Sequence, residues 1–66
     1  DALRDGLKKL KDEYQQVLVL KYINGFSNQE VSEMLQKSEG GVRILQYRAL
    51  RALRTVLEDM GFKGSS

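Results

Sequence analysis

The 66 residues contain no cysteine, no histidine and no proline. Without cysteine there is no disulfide, no thiol nucleophile and no thiolate metal ligand. Without histidine there is no imidazole base, and the common zinc sites are excluded. Ser-His-Asp and Cys-His mechanisms are therefore impossible within this chain. A carboxylate-only or lysine-based enzyme stays formally open, but so short a helical chain has little room for the enclosed pocket that catalysis uses. No enzyme, no cofactor and no metal is expected. Long apolar runs are also missing. The longest, Val17 to Leu20, is far below the roughly 20 residues that span a bilayer, so no membrane contact is expected. There is no signal-peptide pattern. The lack of cysteine fits a reducing cytoplasm.

A chain of this length holds one domain with one small core, and its helices must pack well because nothing staples them. The expected domain covers residues 1–63. Residues 64–66, Gly-Ser-Ser, read as a native linker or an expression scar. The first residue is Asp1 rather than Met, which suggests a piece of something longer.

The net charge of +2 is unevenly placed. Residues 1–36 carry five basic and six acidic groups, a net of −1. Residues 37–66 carry six basic and three acidic groups, a net of +3. Four of those six are arginines on one segment: Arg43, Arg48, Arg51 and Arg54. Such a run is either a solvated helix face or an electrostatic footprint for phosphate.

Apolar residues recur at helical spacing almost throughout, and strand-like alternation is weak. The pattern predicts an all-α domain of four helices. The first runs from about Ala2 to Leu10, with Leu3, Leu7 and Leu10 on one face. The second runs from about Asp12 to Ile23, its acidic start suited to the positive end of the helix dipole. Tyr14, Val17, Leu18 and Lys21 form one stripe, and Val19, Leu20, Tyr22 and Ile23 add apolar surface elsewhere. Asn24-Gly25 tolerates positive φ and stops this helix. Ser27 and Glu30 have the spacing of a capping box, which starts the third helix at Asn28. That helix runs to about Gln36 and is expected to bury Val31, Met34 and Leu35. Ser38 is the next N-cap. The fourth helix runs from about Glu39 to Met60, with Gly61 just past its end. Val42, Leu45, Ala49, Leu50, Leu53, Val56, Leu57 and Met60 make its apolar stripe, and the arginines fall mostly off it.

Two helices joined by so short a turn form either a plain antiparallel hairpin or a helix-turn-helix. The residues after the turn favour the second choice, since the last helix carries Arg43, Gln46, Tyr47 and Arg48 in its first turns. Arg and Gln side chains pair with guanine and adenine edges. The same helix opens on Gly40 and Gly41, although glycine is weaker than alanine inside a helix by about 1 kcal/mol. The glycines mark either a loose start or a place where backbone closely approaches a phosphate or the preceding helix, Gly40 more than Gly41.

The segment "GFSNQEVSEMLQKSEGGVRILQYRALRAL" resembles region 4 of bacterial sigma factors, above all the extracytoplasmic-function (ECF) type. "LKDEYQQVLVLKYING" resembles the helix before their helix-turn-helix. The likeness covers nearly all of Leu7 to Leu57. It implies a domain that binds the promoter −35 element, docks on the flap of the RNA polymerase β subunit, often meets an anti-sigma factor, and works in the bacterial cytoplasm. Arg43, Ile44, Tyr47 and Arg48 match the family positions that reach DNA, and Gly40 matches a glycine at the start of the recognition helix. Val31, Leu35 and Val42 match positions that hold the two helices together. The chain departs from the family at Ser32, usually Ala; at Gln36-Lys37, usually Gly-Ile or similar; and at Gly41, usually Thr or Ala. Gln46 falls where an apolar residue is common, and Leu45 where a polar one is. Gln46 therefore faces either the groove or the core, and the cost of burying an unpaired amide favours the groove.

The expected DNA-contacting set is Lys37, Gly40, Arg43, Ile44, Gln46, Tyr47, Arg48 and Arg51. Tyr47 also fits a core position, and Arg51 and Arg54 also fit pairing with acids such as Glu58. The expected partner surface is Val19, Tyr22, Ile23, Leu57, Met60 and Phe62, with plain core as the competing assignment. The isolated domain is expected to be a monomer that binds DNA weakly, since a sigma factor uses two domains held together by polymerase. Two other functions remain open: a LuxR-type domain that dimerises on inverted repeats, and a helical protein-interaction module whose arginines only solubilise it.

Overall fold

The computed structural model describes residues 2–61; Phe62 and the 64–66 tail lie outside them. Four α-helices follow one another: α1 (Ala2–Lys8), α2 (Asp12–Leu18), α3 (Asn28–Leu35) and α4 (Glu39–Asp59). A π-helical turn, Val19–Ile23, extends α2. No strand occurs among the described residues. The all-α, four-helix expectation is met; α4 stops at Asp59, one residue before the expected Met60, and three other helix ends differ.

The first difference is at α1. Lys9 and Leu10 donate back to the carbonyls of Gly6 and Leu7, both at 3.1 Å. These are i→i−3 bonds, the tighter winding that closes many helix ends. Leu10 still reaches the core. The Gln15 side chain donates to the Leu10 carbonyl at 2.8 Å, joining this turn to α2. The second difference is at Val19–Ile23, where the coil widens and the Asn24 amide donates five residues back to Val19, at 2.9 Å. Gly25 then takes φ +77° and reverses the chain.

The Ser27–Glu30 capping box forms as its spacing requires. The Glu30 amide donates to Ser27 Oγ at 3.1 Å, and the Ser27 amide donates to Glu30 Oε1 at 2.8 Å. The third difference is the end of α3, one residue early. Lys37 N–H donates to the Ser32 carbonyl (2.9 Å) and Gln36 N–H to the Glu33 carbonyl (3.4 Å), the Schellman arrangement. It places Gln36 at φ 57°, ψ 46°, a left-handed site that glycine usually fills. Ser38 then caps α4 by accepting from the Gly41 amide at 2.9 Å.

Leu7, Leu10, Val17, Leu18, Val31, Val42, Leu45 and Ala49 form the core. Val17, Val31 and Val42 are fully enclosed, so α2, α3 and α4 meet through short β-branched side chains. Ser32 is also buried beside them, its hydroxyl donating to the Gln29 carbonyl at 2.7 Å. α1 lies along the far half of α4, with Gly6 at the contact. A Cβ there would stand 3.0 Å from Leu57 Cδ2 and 3.3 Å from Leu53 Cδ1. Leu3, Met34 and Leu50, expected on buried stripes, are exposed. Met34 sits out of phase with Val31, Ser32 and Leu35, which carry the inward side of a helix only eight residues long. Leu50 lies at the edge of the α4 stripe, next to the buried Ala49 and one turn before the half-buried Leu53.

Candidate nucleic-acid interface

α4 has 21 residues and is therefore about 31 Å long. Its inward side carries Val42, Leu45 and Ala49. With 3.6 residues per turn, Gly40, Arg43, Ile44, Tyr47, Arg48 and Arg51 fall on the opposite side, and all six are exposed. Ile44 is 56% and Tyr47 61% accessible, which rules out a core role for Tyr47. Two large apolar side chains thus stand in water, flanked by three arginines.

The arginines differ in what holds them. Arg43 Nη2 lies 4.0 Å from Glu39 Oε1 one turn back, a loose contact. Arg51 leans over Tyr47, its guanidinium 5.7 Å from the ring centre and its Nη1 donating to the phenol oxygen at 3.5 Å. Arg54 pairs with Glu58 at 3.4 Å. Of the two arginines expected to pair with acids such as Glu58, only Arg54 does so among the described residues. Among the described residues Arg48 has neither an ion pair nor a hydrogen bond.

Arg48 borders an open-sided hollow of about 380 Å³ at the start of α4, lined also by Glu13, Lys37, Ser38, Gly41, Ile44 and Leu45. Lys37 Nζ lies 3.4 Å from Glu13 Oε2 across it. Lys37, expected to contact DNA, has an acidic partner from α2. The two glycines also separate. A Cβ on Gly41 would stand 3.1 Å from Ser38 Oγ and 3.9 Å from Lys37 Cβ, whereas one on Gly40 would meet only Ser38 Oγ at 4.0 Å. The close approach inside the domain is at Gly41, not Gly40. Gly40 is open to the outside.

Gln46 corrects another expectation. It is half-buried, and its Nε2 donates to Asn28 Oδ1 at 2.6 Å. The amide is held on the α3 side, and the burial cost that argued for exposure is met by a partner 18 residues away in the chain. Leu45, one position earlier, is in the core. Sequence reasoning missed Asn28 and Glu13 as partners. Nothing local marks either one.

On the expected partner surface, Tyr22 and Ile23 are exposed, while Val19, Leu57 and Met60 are half-buried. Phe62 lies outside the described residues. No helix among the described residues is long and apolar enough to cross a membrane.

Comparison with known proteins agrees with this geometry. Residues 1–53 match the family described as Sigma-70, region 4. The chain belongs to that family. Over 58 residues it is 36% identical to the ECF RNA polymerase sigma factor BldN of Streptomyces coelicolor, covering 88% of this chain and 22% of BldN. Over 60 residues it is 37% identical to the ECF RNA polymerase sigma factor SigW of Bacillus subtilis, covering 91% of this chain and 32% of SigW. The region 4 chain thus spans less than a third of either relative. A chain in the structure of an RsbN–BldN complex superposes with a TM-score of 0.81 at 34% identity, over 83% of this chain and 40% of that one. These likenesses do not favour a LuxR-type domain.

Proposed function

We propose that this chain is the DNA-reading region 4 domain of a bacterial ECF sigma factor, acting in the cytoplasm at transcription initiation. α4 enters the major groove of the promoter −35 element. α3 lies across the backbone above it, as the first helix of a helix-turn-helix does. Arg43 and Arg48 contact bases or phosphates, and Ile44 and Tyr47 touch base edges or a thymine methyl. Lys37 and Arg51 hold phosphates and so set position without reading sequence. The domain binds and positions; it performs no catalysis. It docks on the β flap of RNA polymerase, and an anti-sigma factor is a further partner, as the assembly of BldN with RsbN suggests by analogy. Tyr22 and Ile23, exposed at the end of the π-turn, are the best-placed side chains for such a partner.

The observation that carries this reading is the exposed, arginine-flanked Ile44–Tyr47 strip on the side of α4 that faces away from the core. A titration with promoter duplex at two salt concentrations tests it. With about three phosphates neutralised, affinity falls roughly 40-fold between 50 and 200 mM salt. Binding that ignores salt, or no binding in any promoter context, returns the chain to the protein-interaction alternative.

A further inference from the structure

The hydrogen bond between Gln46 and Asn28 joins the two helices of the helix-turn-helix at the end away from their turn. Asn28 is the first residue of α3, eight positions before Gln36; Gln46 lies eight positions after Ser38. At 1.5 Å per residue, both arms are about 12 Å long. The turn is one vertex of a triangle, the Val31 and Val42 side chains fill its inside, and the amide pair closes the open side. Apolar contacts such as those of Val31, Val42 and Leu45 carry no direction of their own, so two rods packed through them can still slide by small amounts. At 12 Å from the hinge, a change of about 1 Å alters the crossing angle by about 5°. A directional bond at 2.6 Å removes that freedom where the lever is longest.

Gln46 precedes Arg48 by two residues and Tyr47 by one, so the angle that it holds is the angle at which the exposed strip is presented. We propose that Asn28 and Gln46 form a strut that sets the orientation of the recognition helix, and that Gln46 is a positioning residue rather than a base reader. This rests on the DNA-reading function proposed above, and it deepens that function by naming what aims the helix.

Strut and base reader differ in what Asn28 does. If Gln46 reads a base, Gln46→Met abolishes discrimination at one base pair, and Asn28→Ala leaves it intact. If the pair is a strut, each change lowers affinity by the same factor, about 3–10-fold for one hydrogen bond. The loss is spread over all positions of the site, and the double variant is no worse than either single one. The experiment takes the 66-residue chain, Gln46→Met, Asn28→Ala and the double variant, and measures two things. The first is binding to a duplex enriched from a randomised library by the parent chain, and to every single-base-pair variant of that duplex. The second is urea unfolding without DNA, where the two substitutions should couple. Non-additive losses in both measurements, with an unchanged ranking of base-pair variants, support the strut. A loss confined to one base pair and to Gln46→Met overturns it, as does additive unfolding. Failure of the parent chain to bind any duplex, even at the high chain concentrations that a weakly binding isolated domain requires, would overturn the DNA-reading function itself, and with it the positioning role, even where unfolding shows coupling.

Discussion

Lys37 Nζ lies 3.4 Å from Glu13 Oε2, so the cation at the turn of the helix-turn-helix is shared with a carboxylate from the start of α2. Both groups are substantially exposed, and such a pair contributes about 0–1 kcal/mol to folding. Its effect on an incoming polyanion is larger. A phosphate that meets Lys37 must compete with Glu13 and is repelled by it. Glu13→Gln should therefore raise DNA affinity several-fold and steepen the dependence of log affinity on log salt, while Tm stays nearly unchanged. Lys37→Ala should weaken all sequences alike and flatten that slope by about one. Fluorescence anisotropy over a salt series measures both. A selective loss from Lys37→Ala would show that Lys37 reads a base.

Arg43 faces outward with only a loose contact to Glu39 at 4.0 Å, so little holds it back from a duplex. Truncating it should cost about 1–3 kcal/mol on the preferred site if it pairs bidentately with guanine, and much less on random DNA. The ratio of the two affinities for Arg43→Ala against the parent chain decides the matter. An equal loss on both makes Arg43 a phosphate contact.

Gly40 offers a cleaner substitution than Gly41, because a Cβ there meets nothing closer than Ser38 Oγ at 4.0 Å. Valine is a slightly better helix residue than glycine, so Gly40→Val should fold with equal or greater stability. If the backbone at Gly40 approaches the duplex, the same change should lower affinity about tenfold or more, which is about 1.4 kcal/mol or more of binding. Full affinity in the folded variant would make this glycine a loose helix start and nothing else.

Gln36 sits at φ 57°, where a side chain costs energy that glycine avoids. Gln36→Gly should stabilise the domain by about 0.5–1 kcal/mol, visible as a rise of a few degrees in Tm. Urea unfolding with an unchanged m-value checks it; destabilisation would mean that the Gln36 side chain makes contacts worth more than the strain.

What could be read in the sequence was local. Ser27 and Glu30 announce the start of α3 because a capping box needs only four consecutive residues. The outward position of Arg43 follows from helical phase, because Val42, Leu45 and Ala49 claim the other side, whereas Tyr47 also fits a core position and only the family likeness points it outward. What stayed hidden depended on distance along the chain. Gln46 looked like a groove residue because its partner, Asn28, is 18 residues away and has no spacing rule to betray it. Glu13 looked like a helix-dipole residue, and only the fold brings it to Lys37. The left-handed Gln36 has no signal in glutamine itself; the one hint is the glycine that usually stands there in the family, since glycine favours positive φ. The π-turn at Val19–Ile23, which ends on the exposed Tyr22 and Ile23, likewise has no marker in composition.

Whether the outer strip of α4 is the surface that meets DNA is best settled by backbone amide mapping. NMR shifts are followed while duplex DNA carrying a selected site is added to the chain. The largest shifts are predicted at Gly40, Arg43, Ile44, Tyr47 and Arg48, smaller ones at Lys37 and Arg51, and little change along α1. Shifts centred on Tyr22, Ile23 or the far half of α4, with the Ile44–Tyr47 strip untouched, would contradict the DNA-reading role.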